Sequence, residues 1–218
     1  MKKLLTAVII ILGLASKVNA QLSVSAYGAL SIPNGSFSDY YNSAFGVRGN
    51  VLYSTGGSFQ FILHSGYNVW KFNNEKFNDW FHKESGVGNF NLEIPITAVP
   101  LLLGTRYSRD YSGNTKLFLE VAGGVYFITT EASGKFTDNT GTYDLGNDKK
   151  NYTEFTVHLG AGLSIALSNR VSLEPGVYFD FITNSEAAKQ AKPKNSKEYY
   201  EGNQVRTLIL CLGFNYRL

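Results

Sequence analysis

Apolar and polar side chains alternate with a strict period of two along nearly the whole of this chain. Successive side chains of a strand point to opposite faces, so this period calls for strands with one greasy face and one polar face. In 153–167, Phe155, Val157, Leu159, Ala161, Leu163, Ile165 and Leu167 share one face, opposed to Glu154, Thr156, His158, Gly160, Gly162 and Ser164. Segments 171–181 and 208–218 repeat the pattern, and further strands are expected near 22–32, 44–54, 59–72, 90–107 and 116–129, eight in all. Segment 90–107 changes phase near Thr97 and Ala98, which predicts a β-bulge there, with Pro95 and Pro100 weakening its ladder.

The expected connections alternate in length. Short turns fall at 55–57, 109–114 and 169–170, and long loops at 33–43, 73–89, 133–151 and 184–204. Short turns at one end, long loops at the other and both termini at the short-turn end describe a transmembrane barrel. A soluble barrel would also alternate, but its polar face would meet water and carry many Lys and Glu residues. Here that face is Gly, Ser, Thr, Asn and Tyr with sparse charge, which suits a confined interior. Tyr53, Tyr107 and Tyr216 fall on the apolar face near the short-turn end, where an aromatic girdle belongs. The expected fold is all-β, an eight-stranded antiparallel up-and-down transmembrane β-barrel.

Lys2 and Lys3 precede an apolar run, 4–14, with Val18 and Ala20 at cleavage spacing, so 1–20 is expected as an export signal and 21–218 as the barrel domain. The run is too short for a membrane-spanning helix, which takes about 20 residues. Without Lys2, Lys3 and Lys17 the chain has 17 basic residues against 17 acidic, so no electrostatic case for nucleic acid survives. Cys211 reads as a buried inert thiol.

Three stretches resemble the outer-membrane protein β-barrel domain family of small, porin-family barrels. These are 28–37 leading into Phe45-Gly46-Val47, the segment Leu159-Gly160-Ala161-Gly162-Leu163, and the ending Leu212-Gly213-Phe214-Asn215-Tyr216-Arg217-Leu218. The resemblance spans nearly the whole mature chain and implies a closed barrel in the outer membrane with periplasmic termini. Its motifs encode strands and turns, and they bring no catalytic set.

Inward-facing charges define the expected lumen network. Arg106, Glu120 and Glu174 form a lower layer with Arg217 at its base, while Arg48, His64, His158 and Asp180 lie higher, and Glu154 also faces inward. A lone buried charge is costly, so these groups are expected to pair and close the lumen. Leu163 is expected to face lipid, and Gly162 the lumen, where a small polar group is tolerated if it fits. Glu154 and His158 lie about 14 Å apart along one strand, too far to share an ion. His64 and His158 facing each other lack a third ligand, so no metal or other cofactor is expected.

Lipid hydrolysis needs a Ser and a His within hydrogen-bond reach. His64 and Ser65 point to opposite faces, His158 has Gly160 beside it, and His82 lies in a loop, so no enzyme is expected. Phe77, Trp80 and Phe81 at helical spacing make a candidate recognition patch on the loops. The expected role is that of a scaffold whose long loops serve structure, adhesion or partner binding. A narrow solute channel is the second reading and a lipid-modifying enzyme the third. Expected partners are outer-membrane lipid and lipopolysaccharide, the barrel-assembly machinery during biogenesis, and an unidentified protein met by the loops.

Overall fold

The structure, a computed structural model, describes residues 21–84, 88–182 and 205–218. The expected export signal 1–20 and the loop 184–204 lie outside the described residues. The strands are β1 (Gln21–Asn34), β2 (Ala44–Ser54), β3 (Phe59–Trp70), β4 (Asn89–Glu93), β5 (Ile96–Ser112), β6 (Thr115–Asp138), β7 (Gly141–Ala166), β8 (Val171–Ile182) and β9 (Val205–Arg217). All but β4 pair antiparallel with their neighbours around a ring, which closes where β1 meets β9, with Ser23 opposite Arg217 and Asn34 opposite Arg206. A ring leaves no free strand edge, the condition for backbone to cross a bilayer without unsatisfied amides.

The short-turn end is built where sequence chemistry demands it. Gly56 (φ 93°) and Gly113 (φ 53°) supply the positive φ of the β2–β3 and β5–β6 turns. Ser168 Oγ accepts from the N–H groups of Arg170 and Val171 to tighten the β7–β8 turn. Both described ends of the chain lie at this end, and Leu218 N–H donates to Leu22 O.

Two expectations about the long-loop end need correction. The phase change in 90–107 is a break and not a bulge: β4 stops at Glu93, β5 starts at Ile96, and Pro95 lies between them. Proline has no N–H to give a ladder, so the chain changes partners at that point. β5 continues on β3 and β6, whereas β4 pairs only with β6, outside the ring. Segment 133–151, expected as a loop, is a β-hairpin in which β6 runs to Asp138 and β7 starts at Gly141, with a register shift between Ser133 and Lys135. Its β7 half, 141–151, is exposed on both faces, so that strand carries no alternation to betray it. Cross-strand pairs hold it instead: a Glu131–Lys149 ion pair and the stacked rings of Phe136 and Tyr143, 6.5 Å apart. β6 passes its last contact with β5 at Thr130, so eight more residues carry the hairpin roughly 27 Å beyond the barrel wall.

Helix α1 (Asn74–Glu84) covers the edge of β4. Asn73 caps it, its side-chain oxygen accepting from Lys76 N–H at 3.1 Å. Asn74 and Asn78, one helical turn apart, face Leu92 and Phe90, two residues apart on the strand. Each side-chain amide donates to the carbonyl of its partner and accepts from the partner's N–H, at 2.7–2.8 Å. The pair stands in for a neighbouring strand and blunts an edge that would otherwise invite pairing with another chain.

The outer wall decides between membrane and water. Phe45, Phe155 and Leu103 are 83%, 73% and 68% exposed, and Phe61, Leu119, Val121, Leu159, Val177, Leu210 and Leu212 continue the apolar surface around the ring. A water-soluble protein does not carry a continuous belt of this kind. From Phe155 to Ile165 the belt runs ten residues along β7, about 24 Å in height at a strand tilt of about 45°. Aromatic rings border it on both sides: Tyr67, Phe127 and Phe155 above, Phe59, Tyr107, Phe214 and Tyr216 below.

Candidate functional site

The interior is packed at three levels. Lowest, Arg106 and Glu120 are directly opposed across the β5–β6 hairpin, and the guanidinium binds Glu120 Oε1 through Nε. Its Nη1 reaches Glu174 on β8 at 3.0 and 3.1 Å, and its Nη2 donates to Tyr27 Oη at 3.2 Å, while Tyr27 donates to Glu174. The guanidinium also lies 4.0 Å over the Phe118 ring. Above this, Arg48 donates to Asp180 at 2.6 Å and to Tyr126 Oη at 2.9 Å, and both Tyr126 and His158 bond the same Asp180 carboxylate. Arg48, Arg106, Glu120, Glu174, Asp180, His64 and His158 are all at least 94% buried.

His64 and His158 link the two ionic levels, with ring centroids 4.7 Å apart. His64 Nδ1 bonds Asn50 Oδ1 at 2.6 Å, and its Nε2 lies 3.3 Å from Glu120 Oε2; His158 Nε2 lies 3.9 Å from the same oxygen. Glu120 is thus a third group beside the two histidines. The sequence expectation of no third ligand is corrected here, because Glu120 reaches them from β6, two strands from His64 on β3 and on the strand next to His158.

The third level is apolar and closes the long-loop end. A 3-10 turn, Gly35–Asp39, carries Phe37 inward to stack on Tyr41 (4.7 Å) and meet Trp70 edge-on (5.7 Å). Ile96, Ala98, Ile128, Ile182 and Val205 pack around them. Below the ionic levels a vestibule of about 450 Å³ opens at the short-turn end and ends at Arg106 and Glu174.

Arg217 lines this vestibule and is exposed, outside the buried network. Glu154 is buried on the inward face of β7. The loop aromatics divide: Phe77 and Phe81 pack on Phe90 of β4, Phe81 also near Phe136, while Trp80 stays 39% exposed. Tyr27 and Asn50 are site members that sequence reasoning missed; their inward parity on β1 and β2 was readable, but neither bears a charge to attract notice. The inward glycines are slots for rings and not open space. A Cβ on Gly160 would lie 2.3 Å from Tyr178, and one on Gly162 2.4 Å from Phe118 and 2.5 Å from Pro175 O. The condition for a small polar group at Gly162, that it fit, is therefore not met.

A closed antiparallel ring of eight strands, greasy outside and filled with paired charges inside, is a small transmembrane barrel of the outer-membrane kind. No family model and no curated protein sequence matches this chain. Among solved structures it is similar to a major outer membrane protein from Thermus thermophilus, with a TM-score of 0.55 and 15% identity over 91% of this chain and 99% of that one. It is also similar to Neisserial surface protein A (TM-score 0.48, 17% identity, 91% of this chain and 97% of that one). A third is Ail of Yersinia pestis, solved in complex with the heparin analogue sucrose octasulfate (TM-score 0.46, 10% identity, 91% and 97%). These are outer-membrane barrels, the group the sequence resembles, and at such identities the likeness is one of fold.

Proposed function

We propose that this chain is a non-enzymatic scaffold of the outer membrane, delivered by its export signal and the barrel-assembly machinery, with periplasmic termini and a recognition surface held outside the cell. The observation that carries the reading is the contrast between the two parts of the molecule. The lumen is filled by two ionic levels and an aromatic plug, while the β6–β7 hairpin, β4 and α1 stand as an ordered platform beyond the membrane. A barrel of eight strands is just wide enough for its side chains to fill. Binding capacity therefore sits on the platform, which meets lipopolysaccharide and protein partners through exposed groups such as Trp80.

Two measurements test this. Cells displaying the native chain should attach to a protein-coated surface more strongly than cells displaying a variant with 132–148 replaced by Asn-Gly between the register partners Glu131 and Lys149, at equal surface density; equal attachment overturns the platform role. Purified native protein in a planar bilayer should give no steady current. Ion-selective single-channel conductance would replace the scaffold reading with a solute channel served by the vestibule.

A further inference from the structure

The junction between the two ionic levels is incomplete. Within the two ionic levels, Arg48 and Arg106 face three carboxylates, Glu120, Glu174 and Asp180, so these five groups carry an excess of one negative charge when both histidines are neutral. The hydrogen bonds also direct the unshared electron pairs. His64 Nδ1–H donates to Asn50 Oδ1 and His158 Nδ1–H to Asp180, leaving each Nε2 with a lone pair, and Glu120 Oε1 is taken by Arg106, leaving Oε2. His64 Nε2, His158 Nε2 and Glu120 Oε2 all point into one space, lie within 4.8 Å of one another, and have no hydrogen-bond partner among the described residues. Buried polar atoms left without partners are costly, and three acceptors turned on one another repel.

A single proton shared by His64 Nε2 and Glu120 Oε2, 3.3 Å apart, satisfies two of these atoms and leaves His158 Nε2, 3.9 Å from the carboxylate oxygen, facing both. One cation satisfies all three. We propose that His64, His158 and Glu120 form a binding site for a divalent first-row transition metal of the zinc class inside the barrel lumen. Two imidazoles and a carboxylate are a zinc donor set, and ligand atoms about 2.0–2.2 Å from one tetrahedral ion are roughly 3.4 Å apart. The two distances to Glu120 already bracket that value, and the three ligand atoms lie within 4.8 Å of one another. Each ligand has its outer partner in place: Asn50 and Asp180 orient the imidazoles, and Arg106 orients the carboxylate, the arrangement that fixes tautomer and ring direction at metal sites. Access from the vestibule is through the Arg106–Glu174 pair, so the site loads most readily while the barrel folds.

The test uses untagged full-length mature protein refolded in detergent with Co²⁺ or Zn²⁺ alone and dialysed. The expected result is one equivalent of Co²⁺ per folded barrel with visible d–d absorption, displaced by Zn²⁺. His64→Gln and His158→Gln should each weaken binding at least tenfold while keeping the heat-dependent gel shift of a folded barrel. Asn50→Ala should weaken it about 10–100-fold. His82→Gln, on exposed α1, should leave it unchanged. If the histidine variants fail to fold, the native protein still decides the matter: electron paramagnetic resonance of bound Cu²⁺ should show coupling to two imidazole nitrogens. A folded native barrel that takes up less than one equivalent, binding retained in both histidine variants, or Cu²⁺ without that nitrogen coupling would overturn the proposal.

Discussion

Arg106 and Glu120 are direct register partners across the β5–β6 hairpin, and their side chains meet inside the barrel, where Arg106 also reaches Glu174 on β8. One guanidinium is therefore shared by two buried carboxylates. Arg106→Ala strands both, and is expected to lower the unfolding free energy by about 3–5 kcal/mol, measured by urea titration in detergent. Adding Glu174→Gln should recover part of that loss, because one stranded charge is removed. A loss below about 1 kcal/mol in the single variant would mean that water reaches the pair.

The facing of β7 gives a second expectation. Leu159 is half exposed at mid-height of the apolar belt, so Leu159→Arg places a charge in hydrocarbon at a cost of about 2–4 kcal/mol. Gly162→Ser should also impair folding, by about 1–3 kcal/mol, since its Cβ would press on Phe118 and on backbone. Gly123→Ala, whose nearest neighbour would be 3.7 Å away, serves as the tolerated control. Yields of heat-modifiable barrel should rank Gly123→Ala well above the other two.

Tyr126 donates to Asp180 and accepts from Arg48. Tyr126→Phe keeps the ring in the apolar plug and removes only the hydroxyl, so the expected cost is that of hydrogen bonds to charged groups, about 1.5–3 kcal/mol, in the same urea titration.

At the tip of the β6–β7 hairpin, the Thr140 hydroxyl and N–H and the Gly141 N–H all bond Asp138, and they hold its carboxyl below the ordinary carboxylate range. A lowered folded-state value means that this contribution is fully present above the unfolded-state pKa and is lost as pH falls through the folded-state value. The protection of the Thr140 and Gly141 amides, taken relative to their intrinsic exchange rates at each pH, should fall on acidification in the native protein. In Asp138→Asn that pH-dependent loss of protection should be absent.

The period-two pattern determined much of this molecule by itself. It placed the strands of the ring and their inward and outward faces, because in a strand parity alone assigns a side chain to lipid or lumen. The same parity put Arg48, His64, Arg106, Glu120, His158, Glu174 and Asp180 on the inner surface. Where both faces of a strand meet water, as in the outer half of β7, no polarity difference exists to record the fold, and cross-strand contacts such as Phe136–Tyr143 decided it. Strand stagger, which no single strand encodes, decided which inward groups meet. It set Glu120 beside two histidines from other strands and sent Arg217 to the open vestibule. It also laid the rings of Tyr178 and Phe118 over Gly160 and Gly162, because close packing depends on the distance between walls and not on the order of residues along one of them.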